Sequence, residues 1–458
     1  MGKSSCPNCH LDISSDDKCI LHCNKDNFSC DLDDFNSYLY PYIDSINNDA
    51  TIYIEDIIFP KEFNIYTIAS KYKLLHITLK YCQLYDIDFT SDPRNINNIT
   101  FLNCKFNKLN CKDMIFEKVL LKYTKLNIKL HIKEINLDNC RIKDKLFLNH
   151  IDIDSFKCKN TIFYKKVEIK ETIFNKISCF NNTKFNGLCD FYKTEFNCNR
   201  FDKTSFKDIV VFTESKFNKV VDFKYTTFSK LALFRKTQFK CTVNFIDSIF
   251  KEEANFLNIQ NKDAKKLKSY NIKNRETARI IKHSFEKQDN IIEANKYYAL
   301  EMEKREDELK ILKNPLDWIV FKIHKISSNH SQDWTLALFW ILNITFIYNY
   351  FLINISPYSA DDYVLLTISS LIPLVTIYCC NKLPNYIYLW CQNIILFIGL
   401  YLLYDYSNIP LNVISNSINP FSIMTIQSLS FVEMIYKIII AYLIYQFITS
   451  IRQNTRRK

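Results

Sequence analysis

The sequence predicts a β-solenoid followed by an α-helical segment and an apolar α-helical region. Three observations carry this expectation. Rings recur at every fifth or sixth position between Phe163 and Phe256, a small or β-branched residue stands two places before almost every ring, and helix-spaced and then apolar runs fill the rest of the chain. A spacing of five to six matches neither the 3.6-residue period of a helix nor the two-residue period of a strand.

The array runs Phe163, Ile169, Phe174, Phe180, Phe185, Phe191, Phe196, Phe201, Phe206, Phe212, Phe217, Phe223, Phe228, Phe234, Phe239, Phe245, Phe250, Phe256. Two places earlier stand residues such as Thr183, Cys189, Val210 and Ala232; only Asn199 departs from the small or β-branched type. Two inward positions around one outward residue describe a short strand. A turn must then follow each unit, so the chain coils and the rings of successive coils pile into a core, with the small residues filling the corners. Outward positions are read as Lys, Asn, Asp, Glu and Arg. On a helix the same spacing would scatter rings over all sides, which no single core could bury.

This pattern resembles the pentapeptide-repeat family over about residues 50–260. The resemblance implies a right-handed quadrilateral β-solenoid with Phe185 to Phe250 as structural core. It is looser in the earlier coils, where Cys104 precedes Phe106, Thr124 precedes Leu126 and Cys140 precedes Ile142 by the same two places. The alternating six implies a bulge or widened corner at every second face. Cys104, Cys140 and Cys189 read as buried structural thiols.

Composition narrows the rest. With 458 residues, 48% of them hydrophobic, the chain has ample material for a large core. Only 3 Gly occur, and no GxGxxG or GxxxxGK[ST] is present, which argues against phosphate-cradling loops. The net charge of +11 is compatible with nucleic acid, an anionic membrane surface or an abundance of Lys, and does not choose among them.

The amino-terminal segment, residues 1–35, begins "MGKSSCPNCHLDISSDDKC" and has no apolar signal core, so the soluble part is expected in a reducing cytoplasm. It comes near a myristoylation signal but has Cys6 where Ser or Thr is wanted. Cys6 and Cys9 form a C-x2-C pair, and Cys19 and Cys23 a second close pair, with His22 as an alternative to Cys19. Four such ligands predict one structural zinc ion, which would supply the folding energy of a segment too short for its own core.

After Phe256 the five-residue beat stops. "NRETARIIKHSFEKQDNIIEANKYYALEMEKREDELK" has helical spacing through Ala278, Ile281, Phe285, Ile292, Ala299 and Met302, with "EKQDN" breaking it into a hairpin. Residues 265–330 are thus read as a helical cap for the last coil and an interfacial helix marked by Trp318, Phe321, Lys322, Lys325 and Trp334. A transmembrane domain, 335–451, is expected to hold four spans: Thr335 to Ile355, Tyr363 to Cys380, Tyr386 to Tyr404 and Phe431 to Ile451. Lys382 after the second span and the basic tail 452–458 place both termini in the cytoplasm. Glu433 and Lys437, four apart, read as a charge pair near the membrane boundary.

Function is less legible. No HExxH, no GxSxG and no assignable Ser, His and Asp set occurs, so the expectation is a non-enzyme. Quinolone-resistance relatives are thought to mimic DNA with an acidic surface, but between Phe163 and Phe256 this chain has 17 Lys and Arg against 11 Asp and Glu, the wrong sign. Sparse outward aromatics speak against nucleic-acid partners. The resemblance to members carrying carboxyl-terminal membrane segments implies a scaffold or protein-interaction module on the cytoplasmic face of a bacterial inner membrane. Its partners would be the bilayer, an unidentified protein and a second copy in a homo-oligomer. An ion channel or transporter regulated by the solenoid is the runner-up, because "NPFSIMTIQSLSF" precedes the last span, although no carbonyl filter sequence is present.

Overall fold

The computed structural model describes residues 13–15, 18–25, 31–46, 51–72, 76–89, 99–118, 120–123, 130–260, 271–353, 375–378, 386–407, 415, 418–419, 421 and 430–455. The chain forms two units, Met1–Asp289 and Asn290–Lys458.

The first unit is a parallel β-solenoid. Phe163 pairs with Phe185, Phe185 with Phe206, Phe206 with Phe228 and Phe228 with Phe250, so each coil takes 21 or 22 residues. Four inward rings, for example Phe185, Phe191, Phe196 and Phe201, share one coil, which gives it four sides. Strands of adjacent coils join into sheets of up to 11 strands.

The alternation of five and six is an alternation of corner type. Five-residue steps close in tight turns, where the Thr183 N–H donates to the Phe180 carbonyl at 3.2 Å and Thr226 N–H to Phe223 at 3.1 Å. The third residue of each such turn is left-handed: Asn182 at φ 53°, Lys193 at 53°, Tyr225 at 54°. These corners use no glycine, and each pays the Cβ penalty of that conformation. Six-residue steps make wider bends, which is where the expected widening falls. The step from Phe196 to Phe201 is a wide corner one residue short, and Asn199 is its small-position residue.

Corner type also sorts the small residues. Every tight turn from Thr161 to Ser248 ends in Ser or Thr, and the hydroxyl donates to a carbonyl of the previous coil: Thr204 to Phe180, Thr226 to Phe201 and Thr237 to Phe212, each at 2.7 Å. At three corners of the earlier coils a thiol takes this place, while Ile57, Met114 and Ile151 fill it at others. Cys82 donates to Ile54 at 3.6 Å, Cys104 to Leu79 at 3.3 Å and Cys140 to Cys111 at 2.7 Å. Burial pushes the Cys104 and Cys189 thiols well up and the Cys140 thiol to about 12, so none is poised for thiolate chemistry. Wide bends end mostly in apolar residues: Val167, Val210, Val221, Ala232, Val243, Ala254. Thr124 and Leu126 lie outside the described residues.

Rings of one column lie nearly parallel: Phe180 over Phe201 at 4.8 Å and 2°, Phe196 over Phe217 at 4.9 Å and 6°. Rings of neighbouring columns meet edge to face, as Phe191 and Phe196 do at 5.7 Å and 65°. Both geometries suit the ring quadrupole, and each pair adds about 0.5–1.5 kcal/mol beyond area burial. From Phe185 to Phe245 every ring of the array is buried; Phe250 is half-buried.

Helices stand at both ends. Helix α1, Leu32–Ile46, buries Phe35, Leu39 and Ile43, and the Phe35 ring meets Phe59 at 5.9 Å and Phe63 at 5.7 Å. Helix α2, Tyr66–Lys71, follows. Helix α3, Arg275–Lys287, starts where the Asn274 side chain accepts from the Thr277 N–H at 2.9 Å. It buries Ala278, Ile281 and Phe285; Thr277 Oγ1 accepts from the Phe245 N–H at 2.8 Å, and Gln288 donates to the Ala254 carbonyl at 3.0 Å. The expected break follows at Gln288–Asn290.

The second unit is helical: α4, Ile291–Glu308; α5, Pro315–Ser328; α6, Trp334–Ile353; α7, Tyr386–Ser407; and α8, Phe431–Thr455. Phe339, Leu342 and Phe346 of α6 pack with Leu396 and Leu400 of α7, and Tyr348 stacks on Tyr436 of α8 at 3.7 Å. The four expected spans reduce to one clear candidate: among the described residues only Phe431–Thr455 is long and apolar enough to cross a membrane. The apolar parts described in α6 and α7, Trp334–Asn349 and Leu389–Tyr401, are shorter. Most of the expected span Tyr363 to Cys380 lies outside the described residues.

Candidate interaction surfaces

The outer faces of the solenoid carry side chains at fixed intervals, one row per coil. Charges in successive rows pair across coils: Lys230 with Asp208 at 3.0 Å, Lys236 with Glu214 at 3.3 Å, and Lys170 with Asp190 at 3.3 Å, while Lys170 also pairs with Glu168 of its own coil at 3.2 Å. Burial alone would raise the Glu168 carboxyl, but hydrogen bonds from Lys166, Lys170 and Asn149 outweigh it and hold it below the usual carboxylate range. At one corner Asn160 donates to Asn139 at 2.9 Å and Asn182 to Asn160 at 2.8 Å. The basic excess is therefore interleaved with acid, and along these rows it does not form a continuous track for phosphates.

Contrary to the expectation from sequence, the outward positions are not all polar: Ile177, Val220, Tyr225 and Ile249 are exposed, and one face carries an apolar strip. Leu188, Ile209, Val211, Leu231 and Leu233 lie half-buried on three successive coils of the 10-stranded sheet, around the pairs of Val210–Val211 with Cys189–Asp190 and with Ala232–Leu233. Sequence reasoning passed over them because it read outward positions by their prevailing charge. A 22-residue alignment of the coils would have brought the five together.

Of the four cysteines expected to bind zinc, Cys6 and Cys9 lie outside the described residues. Cys19, His22 and Cys23 share one buried turn, with Cys19 Sγ 3.0 Å from His22 Nδ1. Lys25 donates to Cys23 Sγ at 3.3 Å. Burial holds the His22 imidazole below its usual range, the neutral state a metal ligand needs. Among the described residues no group of three or more His, Cys, Asp or Glu side chains is arranged to hold a metal ion.

In the second unit the expected charge pair falls on α8. Glu433 is in its first turn, and Lys437 is buried and donates to the Asn419 carbonyl at 3.4 Å. A second polar cluster was not anticipated. Glu306 of α4 is held by Lys322 and, at 3.0 Å, by Lys325 of α5. His330 lies 3.9 Å from it, and His324 and His330 face each other through Nδ1 atoms 3.2 Å apart. Ser331 continues the chain to Gln446 of α8 at 3.1 Å. Asn329, His330 and Ser331 are all left-handed, with φ of 47°, 56° and 62°. Burial, with His324 next in weight, lowers His330 to about 4, so both rings are neutral near pH 7.

These features define the class: a four-sided parallel β-solenoid built on stacked phenylalanines, joined in sequence to a helical unit. The family model for pentapeptide repeats (9 copies) matches residues 180–227 and 201–249, so this stretch of the chain is a pentapeptide-repeat array. No curated protein and no solved structure matches the chain.

Proposed function

We propose that the protein is a membrane-anchored, non-catalytic scaffold that holds a protein partner on the flat faces of its solenoid. The observation that carries this reading is the half-buried apolar strip from Leu188 to Leu233 along three successive coils of one face. Helix α8, long and apolar enough to cross a bilayer, supports the anchor. The finer reading keeps four spans, with the solenoid and both termini on the cytoplasmic side of a bacterial inner membrane, because Lys and Arg cluster in the corresponding connections. Cross-linking and affinity capture from native membranes tests it. A stable protein partner should be recovered with the wild type and lost with Val211→Lys plus Leu233→Lys; capture that is indifferent to both substitutions overturns it. The full chain should also stay with membranes after alkaline carbonate washing, and release into the supernatant would remove the anchor.

Transport is the second reading. It is favoured by buried polar contacts of α6: Thr376 to Asn343 at 3.2 Å, Asn393 to the Thr335 carbonyl at 3.1 Å and Tyr436 to Thr345 at 3.3 Å. Ion flux into liposomes containing the full chain would support it. A structural zinc ion held by Cys6, Cys9, Cys19 and Cys23, with His22 as alternate, completes the proposal. Metal content well below one equivalent in protein purified without chelator would dismiss it.

A further inference from the structure

The carboxyl-terminal end of the solenoid is closed unevenly. Three of the four ring columns end in buried rings, Phe239, Phe245 and Phe256. The fourth ends in Phe250, which is half-buried and lines a cavity of about 510 Å³ between the last coil and α3. Down this column each ring has another stacked above it: Phe163 and Phe185 at 5.0 Å, Phe185 and Phe206 at 5.1 Å, Phe206 and Phe228 at 5.3 Å, Phe228 and Phe250 at 4.4 Å. Among the described residues Phe250 meets Phe228 below it and the rings of Phe245 and Phe256 at its side, and no ring continues the stack.

We propose that this cavity is a seat for an aromatic side chain of a partner polypeptide, which continues the column over Phe250. The size suits one anchor residue, since ligand pockets run from about 300 to 1,000 Å³. The chemistry of the floor is fixed by the stack, which takes a flat ring parallel to Phe250 and gives an aliphatic side chain no equivalent contact. The walls decide between a small aromatic anion and a peptide. Arg279, Lys282, Glu286 and Lys287 of α3 line it together with Glu252 and Glu253 of the last coil. The three glutamates repel a free aromatic acid, whereas an anchor embedded in a polypeptide finds both signs for its neighbours. Aromatic anchors in such pockets dominate interface energies. The inference rests on the interaction-module reading and adds the chemistry of the partner to it.

Saturation-transfer NMR on the full chain tests the seat, with N-acetyl-tryptophan amide as probe and N-acetyl-leucine amide as control. The tryptophan probe should bind saturably and at least fivefold more tightly than the leucine probe. Phe250→Leu, which keeps an apolar side chain and removes the ring, should weaken it at least fivefold. Ile280→Trp, which fills the cavity, should abolish binding with no fall in melting temperature. Equal binding to wild type and Phe250→Leu, or equal binding of the two probes, overturns the seat. A captured partner that holds Phe250→Leu as well as wild type would also overturn it while leaving the scaffold reading in place.

Discussion

At the scale of single residues, the small position is two positions. From Thr161 to Ser248 it donates a hydrogen bond to the coil below after a tight turn, and after a wide bend it mostly fills space. Thr226→Val keeps the shape and removes the donor to the Phe201 carbonyl. It should cost about 1 kcal/mol in a thermal melt, and an unchanged melt would show that size alone matters. Asn199 presents the opposite case. It is 3% exposed, neither of its side-chain polar atoms has a hydrogen-bond partner, and its column neighbours include Val221 and Val243. Asn199→Val should therefore stabilise the protein by roughly 1–3 kcal/mol; a lower melting temperature would mean that the amide is used. The sequence singled out Asn199 as the odd member of its series, but it could not show why. The reason is the missing residue in the bend from Phe196 to Phe201, which only the register against the neighbouring coils exposes.

At the scale of elements, the solenoid strands were legible because ring spacing is a direct record of coil geometry. Helix α1 was equally legible in principle from the i, i+4, i+8 spacing of Phe35, Leu39 and Ile43, yet the neighbouring cysteines drew attention to metal chemistry instead. The His324, His330 and Glu306 cluster was not legible, since two helices and a left-handed turn bring its members together. Phe201→Ala removes a ring stacked on both Phe180 and Phe223 and should cost about 3–5 kcal/mol; a loss below about 1 kcal/mol would remove the stack as the main source of stability. His330 predicts a pH dependence for the helical unit. Its folded value, about 4, lies below the ordinary 6.5, so its contribution is complete above pH 6.5 and is lost as the pH falls toward 4. The loss amounts to roughly 3 kcal/mol. Melting of the full chain between pH 7 and pH 4 should show it, and His330→Gln should flatten it; an identical slope in the variant would assign the loss elsewhere.

At the scale of the whole molecule, the sequence separated an aromatic coil region from helical and apolar regions, and composition sufficed because the two kinds of core demand different residues. The number of spans was not legible to the same degree. Helices α6 and α7 fall where two of the spans were expected, yet among the described residues only α8 is long and apolar enough to cross a bilayer. Each coil touches only the coils above and below it, so the parallel register repeats the same outward positions at intervals of one strand spacing, about 4.8 Å. Distances along any face of such a tube can therefore take only whole multiples of that step. Duplicating or deleting one 22-residue cassette would shift every feature beyond it by a single notch and leave the features on either side internally unaltered, so the solenoid works as a ruler whose length evolution can change without redesigning its markings.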